Sequence, residues 1–482
     1  MTRAHWLQGP WRRHLWWVFA LLVLTLFLGT RGLNEPDEGR YAEIGREMAT
    51  GGDWLVPTLN GFEHFQKPPL LYWMTAASLR LFGCNEWAAR VPPAIAAFGT
   101  VLLTFAIGRR LFGEAAGEAA AVILVSGVEF FMLGRSLTPD MVLAFWIVAA
   151  IAAFLYGKPR LFFIAMGLGF MTKGPMALVV PLCAVLCWQK AAKGTLLQRK
   201  LPWGEGVVWT VAISLSWFVV LSVSRPALFE YFWKYELLER FATHRHGRSQ
   251  PFWFFGPVLL VALLPWTFFL GRPLRAAWAA WRERRLAPCH ALLLGWTLIP
   301  FIILSISGSK LVTYVLPLLP AFALGLGAHL SRYRPGVVWK IALPTALLWL
   351  AVMGNAAWVE AYLGRQTPTK PLAAMILAHP QYADAVVFTC GVRTHGFEFY
   401  LGRTVATTLN EADIVLPVDA AGKARLFKNP AELAKQLENR PAIGLISQKA
   451  FGPLFSEPRW RVIDRAGDFL LIASRPGAAA RY

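Results

Sequence analysis

Apolar stretches close to the length of a bilayer recur along the whole chain, and they constrain its fold more than any other feature. A helix needs about 20 apolar residues to cross the hydrocarbon core of a membrane. The chain is 56% hydrophobic and only 16% charged, whereas soluble domains carry about 25% charged residues. This pattern predicts a polytopic α-helical membrane protein.

Most lysines and arginines fall in short loops between the apolar stretches. The net charge of +20 therefore indicates the positive-inside bias of membrane proteins and not a nucleic-acid surface. About 11 spans with a cytoplasmic amino terminus place every strongly basic loop on one side. The first span reads as an uncleaved signal anchor, since no small-residue cleavage site follows it. The predicted spans cover about 15–29, 92–107, 118–134, 141–156, 161–171, 176–189, 206–223, 256–271, 289–306, 311–330 and 341–358.

The composition changes from apolar to that of a soluble protein near residue 360, which predicts two domains. Residues 1–360 are predicted to form the multispanning domain, with periplasmic interfacial helices at 34–90 and 225–255. Residues 361–482 contain short buried-strand patterns and a helix between turns, which predict a small C-terminal α/β domain in the periplasm.

The run that begins NEPDEGRYAEIGREM is the most strongly charged helix-like segment. Asn34 can cap a helix, and Asp37 and Glu38 suit its positive end. Tyr41 belongs to an apolar stripe, so we expect an interfacial helix whose acids face water. Capping alone would also explain Asp37 and Glu38, and that alternative stays open.

Charged side chains collect at the outer ends of the predicted spans, where an unpaired charge is costly and is a functional candidate by default. Two carboxylates that meet from separate loops can act as a general base or bind a divalent cation. Lysine and arginine beside them can neutralise a phosphate. Structural alternatives are a helix cap for Asp140 and interfacial snorkelling for Lys173 and Lys310. The candidates are Asp37, Glu38, Arg40, Tyr41, Lys67, Arg135, Asp140, Lys173, Arg240, Lys310 and Tyr314.

Several sites are missing from the sequence. There is no Gly-rich phosphate loop, no dinucleotide-binding fingerprint and no plausible Ser-His-Asp set, which argues against a cytosolic nucleotide-driven mechanism. The five cysteines show no zinc spacing.

Ordered motifs over residues 15–330 carry a family resemblance: EPDEGRYAEIGREM, FxKPP, RSLTPDMVLAF, MTKGP and SGSKLVTYVLPLLP. In this order they resemble the bacterial lipid A aminoarabinose transferases. The wider family contains polyprenyl-phosphate-sugar glycosyltransferases, including the protein O-mannosyltransferases. The resemblance implies a GT-C-type glycosyltransferase with its site on the outer face of the bacterial inner membrane.

Residue roles follow from the resemblance. The family's two loop aspartates fall on Asp37 and Asp140, which would be catalytic, with a divalent metal at these two acids as an untested option. The remaining candidates would bind substrate: Glu38, Arg40, Tyr41, Lys67, Lys173, Arg240, Lys310 and Tyr314. One departure is Gln66, which stands where the aminoarabinose enzymes usually have glutamate. If that glutamate recognises an amino sugar, this chain transfers a different one.

Three functional hypotheses remain open. The first is an inverting transferase that moves 4-amino-4-deoxy-L-arabinose or a related sugar from undecaprenyl phosphate to lipid A. The second is the same fold acting on protein hydroxyls or another glycan. The third is a lipid-linked-sugar transporter without chemistry. Charged residues lie at the outer ends of the predicted spans and not in the middle of the membrane, which favours an enzyme over a transporter.

Overall fold

The architecture is described from a computed structural model of the chain. Described residues are 12–226, 250–283, 286–334, 336–355, 369–392, 395–408, 426–427, 429–438, 440–448, 451–452, 455, 459–466 and 468–474.

Fifteen helices account for most of the described chain up to residue 355. They are α1 (Arg12–Thr25), α2 (Asp37–Ala49), α3 (Leu70–Phe82), α4 (Glu86–Phe112), α5 (Glu114–Ser126), α6 (Val128–Gly134), α7 (Pro139–Leu155), α8 (Pro159–Lys173), α9 (Met176–Ala191), α10 (Trp203–Ser224), α11 (Phe255–Ala262), α12 (Gly271–Arg282), α13 (Pro288–Ile306), α14 (Leu319–Tyr333) and α15 (Val337–Gly354). Two 3₁₀ segments, Trp266–Phe269 and Val312–Leu318, and the short hairpin of β1 (Thr58–Leu59) and β2 (Phe62–Glu63) complete this part.

Several of these helices are long and apolar enough to cross a membrane. Within the described residues there are five, and α5 with α6 would make a sixth if that pair, bent by 70°, counts as one span. The predicted count of 11 therefore stays a prediction. Two predicted spans are interrupted: 256–271 holds α11 and a 3₁₀ segment, and 311–330 begins with a 3₁₀ segment before α14. Proline at 265 and 317 removes a backbone donor at each interruption.

The chain divides into two compact units, which are described separately. The first unit comprises 1–28, 66–71 and 90–352. One of its core clusters joins residues of α7, α8, α9 and α13, and the side chains of Phe162, Phe163 and Trp296 in it are fully buried. Trp296 donates from its indole nitrogen to the carbonyl of Pro317 at 2.9 Å, so this buried polar group is satisfied.

The second unit comprises 29–65, 72–89 and 353–482. Its sheet contains β3 (Val386–Cys390), β4 (Ala406–Thr408), β5 (Leu426–Phe427), β6 (Ala442–Ser447), β7 (Trp460–Ala466) and β8 (Phe469–Ser474), with helices α16 (Thr369–Leu377), α17 (Gly396–Leu401) and α18 (Pro430–Gln436). The strand order is β5-β4-β3-β6-β8-β7, parallel from β5 to β6 and antiparallel at β8 and β7. Alternate residues of β3 enter different cores: Val387 packs with α16 and α17, and Phe388 packs with α18. Both faces of the sheet are thus covered.

The division differs from the predicted boundary at residue 360. Residues 29–65 and 72–89 group with the C-terminal sheet. The reason is burial: one face of α2 packs on α17, and Arg46 donates to the carbonyl of Gly402 at 3.3 Å. The expectation that the acids of α2 face water is wrong for Glu38 and Glu43, which are 2% and 0% exposed.

Candidate functional site

Asp140 and Lys173 form a buried ion pair in the first unit. Thr138 is extended and Pro139 occupies the first turn of α7, which places Asp140 at the positive end of that helix. Lys173 is the last residue of α8, because Gly174 follows with a φ of +94° that favours glycine and stops the helix. The Nζ atom of Lys173 lies 2.5 Å from Oδ1 of Asp140. The N-cap residue of α7 is Thr138, which has no side-chain cap bond, and Asp140 is the acid of the first turn, so stabilisation of the helix end accompanies its ion pair.

Tyr314 adds an aromatic wall to this pair. Lys173 Nζ lies 5.0 Å from the centre of the Tyr314 ring, within cation–π range. The ring of Phe255 stacks on the ring of Tyr314, with 6.5 Å between the two centroids. The structure therefore brings three predicted residues together: Asp140, Lys173 and Tyr314.

Lys310 is held by its own loop. Its Nζ donates to the carbonyl of Ser307 at 2.6 Å, and the residue is 7% exposed. Snorkelling to an interface does not describe so buried a lysine. Because the ammonium keeps two further donors, it can bind an anion without leaving Ser307.

Arg135 joins α1 to the end of α6. Its guanidinium donates to the carbonyl of Val23 at 2.8 Å and to that of Leu26, and it lies 5.1 Å from the ring of Phe131. These bonds satisfy carbonyls at the C-terminal end of α1. Packing and capping therefore account for Arg135.

Glu129 is the residue that the sequence analysis missed. It is 8% exposed, neither carboxyl oxygen has a hydrogen-bond partner, and its charge interacts with that of Asp140. A buried carboxyl without a partner is costly, so such a residue in an apolar helix is a functional candidate by default. The signal was present in the sequence as an acid inside the predicted third span.

The second unit holds the other predicted aspartate. Asp37 opens α2, its side chain is 57% exposed, and it pairs with Arg40 one turn later. The N-cap residue of α2 is Pro36, which has no side-chain cap bond, and Asp37 and Glu38 are acids of the first turn. Stabilisation of the helix end therefore stays an alternative for Asp37, whose exposed side chain is also accessible to a ligand.

Glu38 and Tyr41 have structural positions in the same helix. Glu38 accepts from Arg31 at 2.6 and 3.2 Å and from the amide of Asn34 at 2.9 Å. Tyr41 is 5% exposed, and its ring lies 5.8 Å from that of Tyr72. Both side chains are buried against protein groups, and their substrate-binding role stays a prediction.

Glu35 fixes the start of this segment on the sheet domain. Its carboxylate accepts from the amides of His395 and Gly396 at 3.0 and 2.7 Å and from the hydroxyl of Thr369 at 3.0 Å. Burial raises the pKa of Glu35 above 4.5, although these hydrogen bonds act in the opposite direction. A carboxylate with three donors orients the chain just before Asp37.

Buried acids continue along this contact. Glu43 forms a two-pronged pair with Arg46 at 2.6 and 2.7 Å. Glu398 of α17 is buried with one carboxyl oxygen unbonded. Burial raises the pKa of Glu398 well above 4.5, and the charges of Glu43, Glu35 and Glu47 add to this. Burial and the neighbouring acids thus favour the neutral form of Glu398.

Two predicted residues remain to be placed. Lys67 is half-buried in segment 66–71, which belongs to the same unit as Asp140. Arg240 and most of the predicted interfacial helix at 225–255 lie outside the described residues.

The described side chains show which partners surround the two acids, Asp37 and Asp140, that were predicted to bind a divalent metal. Among them no group of three or more His, Cys, Asp or Glu could hold an ion. Asp140 and Asp37 each face a basic partner, Lys173 and Arg40. We derive no step through a metal, and the metal option stays a prediction.

The geometry of the first unit can bind a phosphate and orient a nucleophile. Lys173 and Lys310 supply positive charge, Asp140 supplies a carboxylate beside Lys173, and Tyr314 covers the pair. A lysine shared between a carboxylate and an incoming phosphate can release the carboxylate as the phosphate arrives. This combination suits displacement of a phosphate-linked group.

Comparisons with known proteins agree with this chemistry. The family model described as dolichyl-phosphate-mannose-protein mannosyltransferase matches residues 66–217. The chain is 37% identical over 391 residues to undecaprenyl phosphate-alpha-4-amino-4-deoxy-L-arabinose arabinosyl transferase 1 of Sodalis glossinidius (strain morsitans), covering 75% of this chain and 68% of that protein. It is 34% identical over 335 residues to the transferase of the same name, without the number, from Edwardsiella ictaluri (strain 93-146), covering 66% of this chain and 59% of that protein.

A solved structure shares the fold. The crystal structure of ArnT from Cupriavidus metallidurans bound to undecaprenyl phosphate superposes with a TM-score of 0.80 at 23% identity, covering 98% of this chain and 100% of that one. The predicted fold class is confirmed: a multi-pass helical membrane protein with a small C-terminal sheet domain. The predicted family resemblance is confirmed as well.

Proposed function

Because this chain belongs to the family of the undecaprenyl phosphate-alpha-4-amino-4-deoxy-L-arabinose arabinosyl transferases, we propose that it is a membrane glycosyltransferase. It takes a sugar from an undecaprenyl-phosphate-linked donor and transfers it to lipid A, the sugar being 4-amino-4-deoxy-L-arabinose or a close relative. The observation that carries the proposal is the buried pair of Asp140 and Lys173 beside Tyr314.

The reaction is a single displacement at the anomeric carbon. An acceptor oxygen attacks this carbon, and the bond between the carbon and the phosphate oxygen breaks. Undecaprenyl phosphate leaves with one more negative charge. Lys173, Lys310 and Lys67 supply the positive charge that stabilises the departing phosphate. Attack from the face opposite the phosphate inverts the configuration.

The carboxylate that acts on the acceptor is Asp140 of the first unit or Asp37 of the second. If the acceptor is a hydroxyl, a carboxylate removes its proton as the new bond forms. A phosphate acceptor is already ionised and needs orientation instead of a base. Arg40 lies beside Asp37 and provides a cation for such an acceptor.

The donor and acceptor are membrane lipids, so the site lies at a face of the membrane. In this proposal that face is the periplasmic one. The amino terminus is then cytoplasmic and the sheet domain periplasmic, in the inner membrane of a bacterium. The bias of basic residues toward one set of loops supports this orientation.

The test is transfer by the purified full-length protein. Donor with 4-amino-4-deoxy-L-arabinose on undecaprenyl phosphate is mixed with lipid A, and the products are identified by mass spectrometry. We expect sugar-modified lipid A from the wild type and little from Asp140→Asn. Unchanged lipid A with wild-type protein and intact donor would refute the proposal.

A second candidate is transfer to protein hydroxyls. It is favoured by the mannosyltransferase description of the family model that matches residues 66–217. Mass spectrometry of envelope proteins and lipid A, from cells with and without the chain, distinguishes the two acceptors. A transporter would yield no glycosylated product in the purified reaction.

A further inference from the structure

A cavity of about 260 Å³ lies in the first unit, at the end of α7 and α8 that is away from Asp140 and Lys173. It is lined by Phe154, Gly157, Pro159, Arg199, Lys200 and Leu201, from the α7–α8 turn and the loop between α9 and α10. We propose that this cavity binds the phosphate group of an anionic ligand, with Arg199 and Lys200 as its cationic contacts. This site is separate from Asp140 and Lys173, which lie at the other ends of α7 and α8.

The loop that carries the two cations is fixed before any ligand binds. The side chain of Gln189 accepts from the amide of Arg199 at 3.0 Å and donates to its carbonyl. Trp188 donates from its indole nitrogen to the carbonyl of Leu197 at 3.2 Å. Binding therefore requires little ordering of this loop, which lowers its entropic cost.

The Arg199 guanidinium is directed toward the turn. It lies 5.9 Å from the centre of the Phe154 ring. Gly157 allows this approach, because a Cβ there would meet Nη1 of Arg199 at 3.0 Å, and its φ of +70° favours glycine. The side chain thus packs on the Phe154 ring and lines the cavity.

The positive charge at the cavity is not compensated by acids. Among the described residues, Arg199 and Lys200 have no salt bridge, and Glu205, the acid of this region, pairs with Arg160 at 2.6 Å. Burial lowers the pKa of Arg199, and the charge of Arg110 lowers it further. A bound anion would relieve this repulsion between guanidinium groups.

The start of α8 adds to the attraction. Pro159 is its first residue, and the amides of the first turn of a helix lack intrahelical partners and carry its positive dipole end. The cavity is smaller than the roughly 300–1,000 Å³ of sites for drug-sized ligands. A phosphate with a short substituent suits it better than a whole nucleotide sugar.

A membrane lipid is the source that the surroundings favour. Leu196 and Leu197 of the same loop and Trp203 at the start of α10 are exposed, and exposed apolar residues beside basic ones are typical of contact with anionic lipid. A soluble phosphate would present the same group to the cavity, so the experiment has to separate the two sources.

The test uses calorimetric titration of the full-length protein in neutral detergent with short-chain phosphatidylglycerol, phosphatidylcholine of equal chain length, and inorganic phosphate. We expect Arg199→Gln and Lys200→Gln each to weaken phosphatidylglycerol binding by about tenfold or more, the loss expected for a charge-assisted contact. Lys200 is exposed, so its variant tests charge without loss of packing. The control Lys193→Gln removes the same charge from the same loop outside the cavity, and we expect a change of less than about twofold.

Binding of phosphatidylglycerol that phosphate does not displace supports a membrane source. Binding of inorganic phosphate with the same dependence on Arg199 supports a soluble source. The proposal would be overturned if the wild type and both cavity variants bound phosphatidylglycerol and inorganic phosphate with equal affinity. It would also be overturned if the wild type bound phosphatidylcholine as tightly as phosphatidylglycerol. Because binding is measured without turnover, this outcome is independent of the transferase assay.

Discussion

Separating the charges of Asp140 and Lys173 should cost both stability and transfer, in a way that a double-mutant cycle can measure. The side chains are 7% and 14% exposed and lie 2.5 Å apart. Asp140→Asn removes one charge and keeps the shape. Lys173→Met keeps an unbranched side chain and removes the other charge.

The magnitude follows from burial. Breaking a buried pair by removing one partner costs about 3–5 kcal/mol, because the remaining charge is left without compensation. Lys173 keeps some solvent contact and its contact with the Tyr314 ring, so we expect a loss of about 3 kcal/mol for Asp140→Asn. The double variant leaves no buried charge, so it should cost less than the sum of the single changes, with a coupling of about 1–3 kcal/mol.

The assay is reversible unfolding in mixed micelles for the four proteins of the cycle, with transfer measured on the same samples. Lys190→Met, an exposed lysine of α9, is the matched control and should leave both quantities unchanged. Transfer should fall at least about a hundredfold in both single variants and stay low in the double one. Additive unfolding energies would refute the coupling, and normal transfer by Asp140→Asn would remove this residue from the chemistry.

Four further predictions test the rest of the assignment. Lys67→Ala should lower kcat/KM by the equivalent of roughly 2–4 kcal/mol with the protein still folded, and near wild-type transfer would contradict its phosphate role. Asp37→Asn should reduce transfer about a hundredfold without changing Tm, because its side chain is 57% exposed; a lower Tm with normal transfer would instead make it structural. Alkaline phosphatase fused after residue 482 should be active, as the positive-inside bias requires, and activity only from a cytoplasmic reporter would reverse the topology. Burial raises the pKa of Glu398 well above 4.5, so the folded state binds this proton more tightly than the unfolded state and stability falls as pH rises above 4.5. Glu398→Gln should reduce this fall. An unchanged pH dependence of Tm in this variant would contradict the role of Glu398.

The parts of the site that the sequence predicted are those set by local signals. Pro139 and Gly174 begin and end helices, so the positions of Asp140 and Lys173 at helix ends follow from the chain itself. Their pairing does not, because it depends on how α7 and α8 pack. Glu129 was visible as an acid in an apolar run, but its lack of a hydrogen-bond partner is a tertiary property.

The same distinction applies to the fold. Bilayer-length apolar runs located most helices, and α3 (Leu70–Phe82) lies within the segment 34–90 that was predicted to hold interfacial helices. The interruptions at 265 and 317 were marked by proline, yet their effect on span number depends on packing. The compact units divide the chain differently from the boundary predicted at residue 360, because composition changes there while the contacts of α2 are made with residues far later in the chain.

Those distant contacts give the sheet domain a physical role in the chemistry that we propose. Glu35 accepts three hydrogen bonds from residues beyond 368, Arg46 donates to Gly402, and Asn60 exchanges two bonds of 2.8 Å with the backbone of Val405. A helix of 13 residues with so many charges is marginal alone, so its order has to come from tertiary partners. The sheet domain therefore orients the helix that begins at Asp37, and weakening the sheet domain should disturb the contribution of Asp37 to transfer.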